Sequence, residues 1–364
     1  MAYLEIMKKR IGASAVVAAA AAFTSALLAR RARFFAQAPP RNETFATSAG
    51  PVELPVRYHD GSLMGAFWLV EETKAAALLP DNLEPLLLPG RNAAAGLFMM
   101  DYRNSTLGPY GEVGIGIQAV RKGTGATLIG YLWDMVANVF HVDEMLSLFG
   151  QEDSGLYVVT LPVTTQVSVA GGREVWGFPK YLAEMQSDFS DPKRASFALE
   201  GEFEASLAQG FTVPTPGLPF LTYTEQPTAD ITRTKIRVGH TFRWGGTLEL
   251  DVHGDGPTAA AIKKLGLDAS PALAVFRTDG VQADLPAGKQ LPFLYSTKDI
   301  PTPPPSIVSD KYVFEGFTAP TPPVEETPRA SYELDPALIQ LVGVLCLIGG
   351  CLGLVVYAIL SIDE

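Results

Sequence analysis

Between about Glu53 and Phe293 the apolar positions come in short runs that alternate with polar ones or gather β-branched and aromatic residues, each bounded by Gly, Pro, Asn or Asp. Strand side chains alternate between two faces, so this period of two predicts strands. Val113–Val120, Gly155–Ala170, Ala195–Leu207, Lys235–His253 and Ala272–Leu285 are the candidates. Their close spacing leaves little chain for crossover helices, which predicts a mostly antiparallel sheet, curved or closed. Helical spacing marks Glu71–Leu79, stopped by Pro80, then Tyr131–Phe149 and Pro257–Leu265. The expected class is α+β with a β-rich core, and no internal repeat is visible.

The two ends follow other patterns. Ala337–Leu360 is a charge-free apolar run. As a helix at 1.5 Å per residue it would extend roughly 36 Å, enough to cross a hydrocarbon core of about 30 Å. A transmembrane helix is therefore expected over 337–361. Gly349 and Gly353 within it form a GxxxG pair, which presents a close-approach face to another membrane helix or reflects the general glycine content of such helices. At the other end, Lys8-Lys9-Arg10 precedes the Ala-rich run Ile11–Ala29, and Arg30-Arg31-Ala32-Arg33 follows it. Residues 1–40 read as a targeting segment or an N-terminal membrane anchor, with the organelle or bacterial membrane left open. Two proline-rich stretches, Ile300–Ser306 and Ala319–Pro328, make 296–336 a semi-rigid linker after a globular domain at 50–295.

Composition narrows the function. A formal net charge of −11 with only 28 Lys+Arg lacks the basic footprint of a nucleic-acid binder. Both cysteines, Cys346 and Cys351, fall inside the apolar run, so the globular part has no disulfide framework. His59, His141, His240 and His253 are scattered without metal-site spacing, and no metal is expected.

The segment Gly171–Glu184, GGREVWGFPKYLAE, carries the candidate chemistry. Gly172-Arg173-Glu174, then Phe178-Pro179-Lys180 and Leu182, resemble the signature of the acetoacetate decarboxylase-like superfamily, with Lys180 at its Schiff-base lysine. Tyr110-Gly111-Glu112, leading into a strand, is similar to the segment with an active-site glutamate, and Ala75–Pro85 to an early helix ending in a proline turn. The resemblance covers roughly Pro55–Pro286. It implies a cone-like antiparallel barrel with flanking helices, a ligand cavity, and no cofactor beyond the lysine amine.

A neutral lysine adds to a ketone, loses water and gives an iminium ion that accepts electrons from a breaking bond. The resemblance thus makes Lys180 and Glu112 the catalytic candidates, with Arg173, Glu174, Trp176, Phe178 and Tyr181 as substrate-binding candidates. The chain also departs from the family pattern. Tyr181 stands where decarboxylases have a second lysine, a further family glutamate falls on Leu97-Phe98-Met99-Met100 with Asp101 the nearest acid, and an expected arginine falls near Gly61-Ser62 with only Arg57 close. Two functions remain: a membrane-anchored lyase acting on a keto-bearing or apolar small molecule, or a non-catalytic accessory subunit of a membrane complex that keeps the barrel as a scaffold or lipid- or pigment-binding module.

Overall fold

The computed structural model describes residues 34–38, 40–88, 91–124, 154–217, 220–226 and 229–291. The chain divides into two units. The fold below lies in Pro39–Val324, while residues 34–38, with a 3-10 turn at Phe35–Gln37, belong to the other. The helix expected at Tyr131–Phe149, both proline-rich stretches, the run at 337–361 with Gly349 and Gly353, and almost all of residues 1–40 lie outside the described residues. Among the described residues no helix is long and apolar enough to cross a membrane.

A hairpin of β1 (Glu43–Thr47) and β2 (Gly50–Leu54) precedes the long β3 (Val56–Glu71). Next come α1 (Glu72–Ala76), the short β4 (Leu83–Pro85) and β5 (Leu87–Leu88), then β6 (Asn92–Ser105) and β7 (Tyr110–Arg121). β8 (Ser154–Val163), α2 (Gln166–Trp176) and β9 (Lys180–Leu182) carry the lysine segment. β10 (Met185–Asp188), β11 (Arg194–Leu199), β12 (Phe203–Ala208), β13 (Val213–Pro216), β14 (Phe220–Gln226), β15 (Ala229–Val238), β16 (Thr241–Trp244) and β17 (Thr247–Val252) follow. The chain then forms α3 (Pro257–Leu265), β18 (Ala274–Asp279), β19 (Ala283–Leu285) and β20 (Lys289–Leu291).

Seven strands close on themselves in the order β3-β19-β15-β14-β8-β7-β6, with β6 pairing back to β3 along almost its whole length. All these pairings are antiparallel except β14 with β8, and β9 adds a second parallel pairing on β8. Closure removes the exposed edges an open sheet would carry. A separate four-stranded sheet, β10-β11-β12-β17, packs over the outside. Its strands show the one-sided alternation expected of them: β12 reads buried, exposed, buried, exposed along its length.

The barrel strands are buried on both faces. On β7, Val113, Ile115 and Ile117 belong to a core shared with Phe197, Phe203 and Leu207 of the small sheet and Ile262 and Leu265 of α3, with Ile115 also bordering the interior cavity. Their neighbours Glu112, Gly114 and Gly116 line the interior. The same parity on β6 sends Leu97 and Met99 outward and Phe98, Met100 and Tyr102 inward.

Two sequence expectations need correction. Gly155–Ala170 is strand only to Val163, and Gln166–Ala170 opens α2. The β-branched residues there suggested an extended chain, but the Thr165 side chain accepts the Ser168 N–H and caps a helix. The longest strands, β3 and β6, were not among the candidates. Their β pattern is interrupted by Gly61, Gly65 and Gly96, and two of these glycines let the strands approach. A Cβ at Gly61 would lie 2.6 Å from the Asp101 carbonyl oxygen, and one at Gly65 2.7 Å from that of Leu97.

Candidate functional site

Strand register brings the two candidate catalytic residues to one face. Glu112 on β7 lies opposite Val163 on β8, and Lys180 on β9 lies beside Leu161, two residues back on the same face of β8. Both side chains therefore enter the barrel. Lys180 is 3% exposed and Glu112 7%. Lys180 Nζ donates to Glu112 Oε2 at 2.6 Å and to Ser168 Oγ at 2.9 Å.

Helix α2 builds the lysine's seat. Ser168 and Gly172 are four residues apart and share a helical face. Ser168 supplies the hydroxyl, and Gly172 leaves room for the lysine stem. A Cβ at Gly172 would lie 2.7 Å from Lys180 Cε and closer still to Cδ. The helix ends at Gly177, whose φ of 72° is a left-handed conformation suited to glycine. The N–H groups of Gly177 and Phe178 bond back to the carbonyls of Arg173 and Gly172, turning the chain so that Lys180 returns over the face it has just left.

A cavity of about 120 Å³ opens beside the pair. Phe178, Phe98, Met100, Leu161 and Ile236 form much of its apolar wall, with Tyr58, Tyr102 and His240 as polar contributors. The Tyr102 hydroxyl lies 2.9 Å from Met100 Sδ and 3.4 Å from Glu112 Oε1, while the Tyr58 and Tyr110 hydroxyls share a 2.8 Å hydrogen bond. Burial, and second to it the Glu112 carboxylate, pushes all three phenols well above their ordinary range.

These phenols stay protonated in the fold to higher pH than in the unfolded chain. Below pH about 10 both states are neutral and nothing changes; above it the unfolded chain binds fewer protons than the folded one, so stability falls as pH rises. Each buried tyrosine should contribute a loss of about 1.4 kcal/mol per pH unit there. Urea midpoints at pH 8 and pH 11 measure this, with the lower midpoint expected at pH 11.

The substrate-binding candidates divide. Phe178 lines the cavity, its ring 6.0 Å from Lys180 Nζ. Arg173, Glu174, Trp176 and Tyr181 do not line it, which corrects their expected role. Arg173 Nε donates to the Lys180 carbonyl and clamps β9 to α2. Glu174 is exposed and accepts the Ser48 N–H at 3.0 Å, fastening the β1–β2 turn. Trp176 Nε1 donates to the Pro286 carbonyl at 2.7 Å, and its ring backs Phe178. Tyr181 points to the outer face of β9, where its hydroxyl donates to Glu202 at 2.8 Å and meets Thr258 at 2.7 Å. Adjacent strand residues face opposite ways, so position 181 cannot reach what Lys180 reaches.

Ser168 escaped the sequence analysis because its segment read as strand, which hid its helical spacing from Gly172. Ser168→Ala removes a hydrogen bond to a charged group and should lower stability by about 1.5–3 kcal/mol in chemical denaturation. Met100, the last residue of the Leu97–Met100 stretch on which the family resemblance placed a glutamate, pairs with Glu112 across β6 and β7 and lines the cavity. Asp101, on the alternate face, is partly exposed beside Arg103.

Residues 39–203 match the family model for acetoacetate decarboxylase (ADC). Comparison with curated proteins finds no match. Among solved structures the chain is similar to acetoacetate decarboxylase from Legionella pneumophila subsp. pneumophila str. Philadelphia 1, at 18% identity over 70% of this chain and 92% of that one, TM-score 0.46. It is also similar to the enduracididine biosynthesis enzyme MppR complexed with pyruvate, at 17% identity over 66% of this chain and 91% of that one, TM-score 0.43. An acetoacetate decarboxylase-like enzyme from Sphingomonas wittichii RW1 is similar at 12% identity over 67% and 95%, TM-score 0.42.

Proposed function

We propose that this chain, whose residues 39–203 match the acetoacetate decarboxylase family model, is a divergent member of that family, and that its barrel is an amine catalyst in which Lys180 forms a Schiff base with a carbonyl substrate. The 2.6 Å contact between Lys180 Nζ and Glu112 Oε2, beside a mainly apolar cavity, carries this reading. Glu112 takes a proton from the ammonium and leaves a neutral amine. The amine nitrogen attacks the carbonyl carbon, and the C=O electron pair moves to oxygen. Glu112 returns its proton to that oxygen, giving a hydroxyl; it then carries a second proton from the nitrogen to the hydroxyl, which leaves as water while the freed nitrogen lone pair forms C=N, and the product is an iminium ion. The iminium then accepts the electrons of a breaking C–C or C–H bond on the adjacent carbon, the chemistry of a decarboxylase-like or aldol-type lyase.

Borohydride trapping tests the proposal: the purified full chain is incubated with acetone, reduced and mapped by mass spectrometry. A secondary-amine adduct at Lys180 is expected. A folded protein that forms no adduct with any carbonyl compound overturns the reading.

The acid-free Leu97–Met100 stretch, from which Phe98 and Met100 line the cavity, favours a second reading, in which the barrel is a scaffold or a lipid- or pigment-binding module of a membrane assembly. Under either reading the apolar run 337–360 anchors the domain, and Gly349 and Gly353 offer a face to another helix. Alkaline carbonate extraction should leave the full chain with the membrane and release a version ending at Asp335. Equal release of both would overturn the anchor.

A further inference from the structure

We infer that the site takes an uncharged carbonyl compound and discriminates against one bearing a carboxylate, which selects the aldol-type, C–H-breaking branch of the proposed chemistry over decarboxylation. The inference rests on the Schiff-base reading of Lys180. Among the described residues lining the cavity, Lys180 and Glu112 are the formally charged ones, and they neutralise each other at 2.6 Å. A substrate carboxylate would thus meet one cation already engaged and one anion that repels it.

Register explains why, among the described residues, no arginine faces the cavity. Arg57, Asp284 and Arg237 lie directly beside one another on β3, β19 and β15. Tyr58, Ala283 and Val238, one residue along each strand, line the cavity, so the charged triad faces the other way. Asp284 holds both cations there, with Arg237 Nη1 at 3.0 Å and Arg57 Nε at 3.7 Å. Arg103, next to the cavity-lining Tyr102, turns outward to Asp60 at 2.9 Å. His240 is the remaining imidazole at the cavity, and its Nδ1 lies 3.0 Å from the Gln282 carbonyl oxygen and 3.2 Å from the Gln282 nitrogen.

The phenol hydroxyls can hydrogen-bond a neutral carbonyl or ester oxygen, but they supply no countercharge. A buried carboxylate without a cation is strongly disfavoured. A volume of about 120 Å³ sets the scale at a small ketone, aldehyde or keto ester.

The test is a matched pair, 4-oxopentanoate and its methyl ester, which share a ketone and differ in charge. Each is trapped by borohydride on the purified full chain at pH 8, with acetone in parallel. Initial adduct formation at Lys180 should favour the ester over the acid by on the order of a hundredfold. Equal rates, or faster trapping of the acid, would overturn the inference while leaving the Schiff base intact. Absence of adducts with all three would overturn both.

Discussion

The Lys180→Met variant should lose the borohydride-stable adduct of the barrel site and keep only the slow background labelling of exposed lysines, because the nitrogen that makes the bond is gone. It should also be less stable than the parent. Met keeps most of the lysine's volume, but Glu112 at 7% exposure loses the ammonium 2.6 Å away and must ionise unpaired or take up a proton. Breaking one side of a buried pair costs about 3–5 kcal/mol. Replacing both partners by apolar residues of similar size removes that penalty, so the double variant Lys180→Met with Glu112→Leu should recover much of the lost stability. Urea denaturation of the parent, both single variants and the double variant measures the coupling. A double variant as unstable as the sum of the singles would show that the two side chains do not act as a pair.

Gly172→Ala should be the most damaging single-methyl change near the site. The added Cβ would lie 2.7 Å from Lys180 Cε and nearer to Cδ, and the backbone beneath it is the middle of α2. The lysine must move, because the stem is the softer partner. Overpacking of this kind costs about 1–3 kcal/mol, and a displacement of about 1 Å can slow a reaction on the order of a hundredfold. Trapping rate and denaturation midpoint, read on the same preparation, separate the two effects. An unchanged rate at Lys180 would mean that the lysine's seat tolerates the methyl and that its precise placement is unimportant. Gly171→Ala serves as the neighbouring control: a Cβ there would approach Val52 Cγ2 at 3.3 Å, away from the lysine.

Much of this arrangement was legible in the chain before any coordinates. The Val113–Val120 segment was marked as a strand by its run of branched residues, and the structure shows Gly114 and Gly116 facing the cavity while Val113 and Ile117 face the outer core. The Phe178-Pro179-Lys180 motif located the lysine, and Tyr110-Gly111-Glu112 located its acid. The roles of the residues around Lys180 were hidden because proximity in sequence is not proximity in the site. Tyr181 is one residue away and faces Glu202 across another core, while Ser168, twelve residues back, touches the amine. That contact depends on the left-handed turn at Gly177 folding β9 back over α2, a tertiary event that no local period records. A curved or closed sheet was expected, but the strand pair that closes it was not, since the pairing of β3 with β6 depends on close approach at Gly61 and Gly65 rather than on β propensity.

The central claim is that Lys180 and Glu112 act together on a carbonyl carbon, and α-hydrogen exchange in D2O addresses it most directly. Iminium formation acidifies the neighbouring C–H, Glu112 removes that proton, a solvent deuteron replaces it, and hydrolysis returns the ketone with nothing else consumed. The full chain should exchange the α-hydrogens of acetone well above the buffer rate. Lys180→Met should fall to that rate, and Glu112→Gln should lose on the order of a hundredfold or more. Exchange by the parent chain no faster than by Lys180→Met would contradict the account and leave the barrel as a binding module.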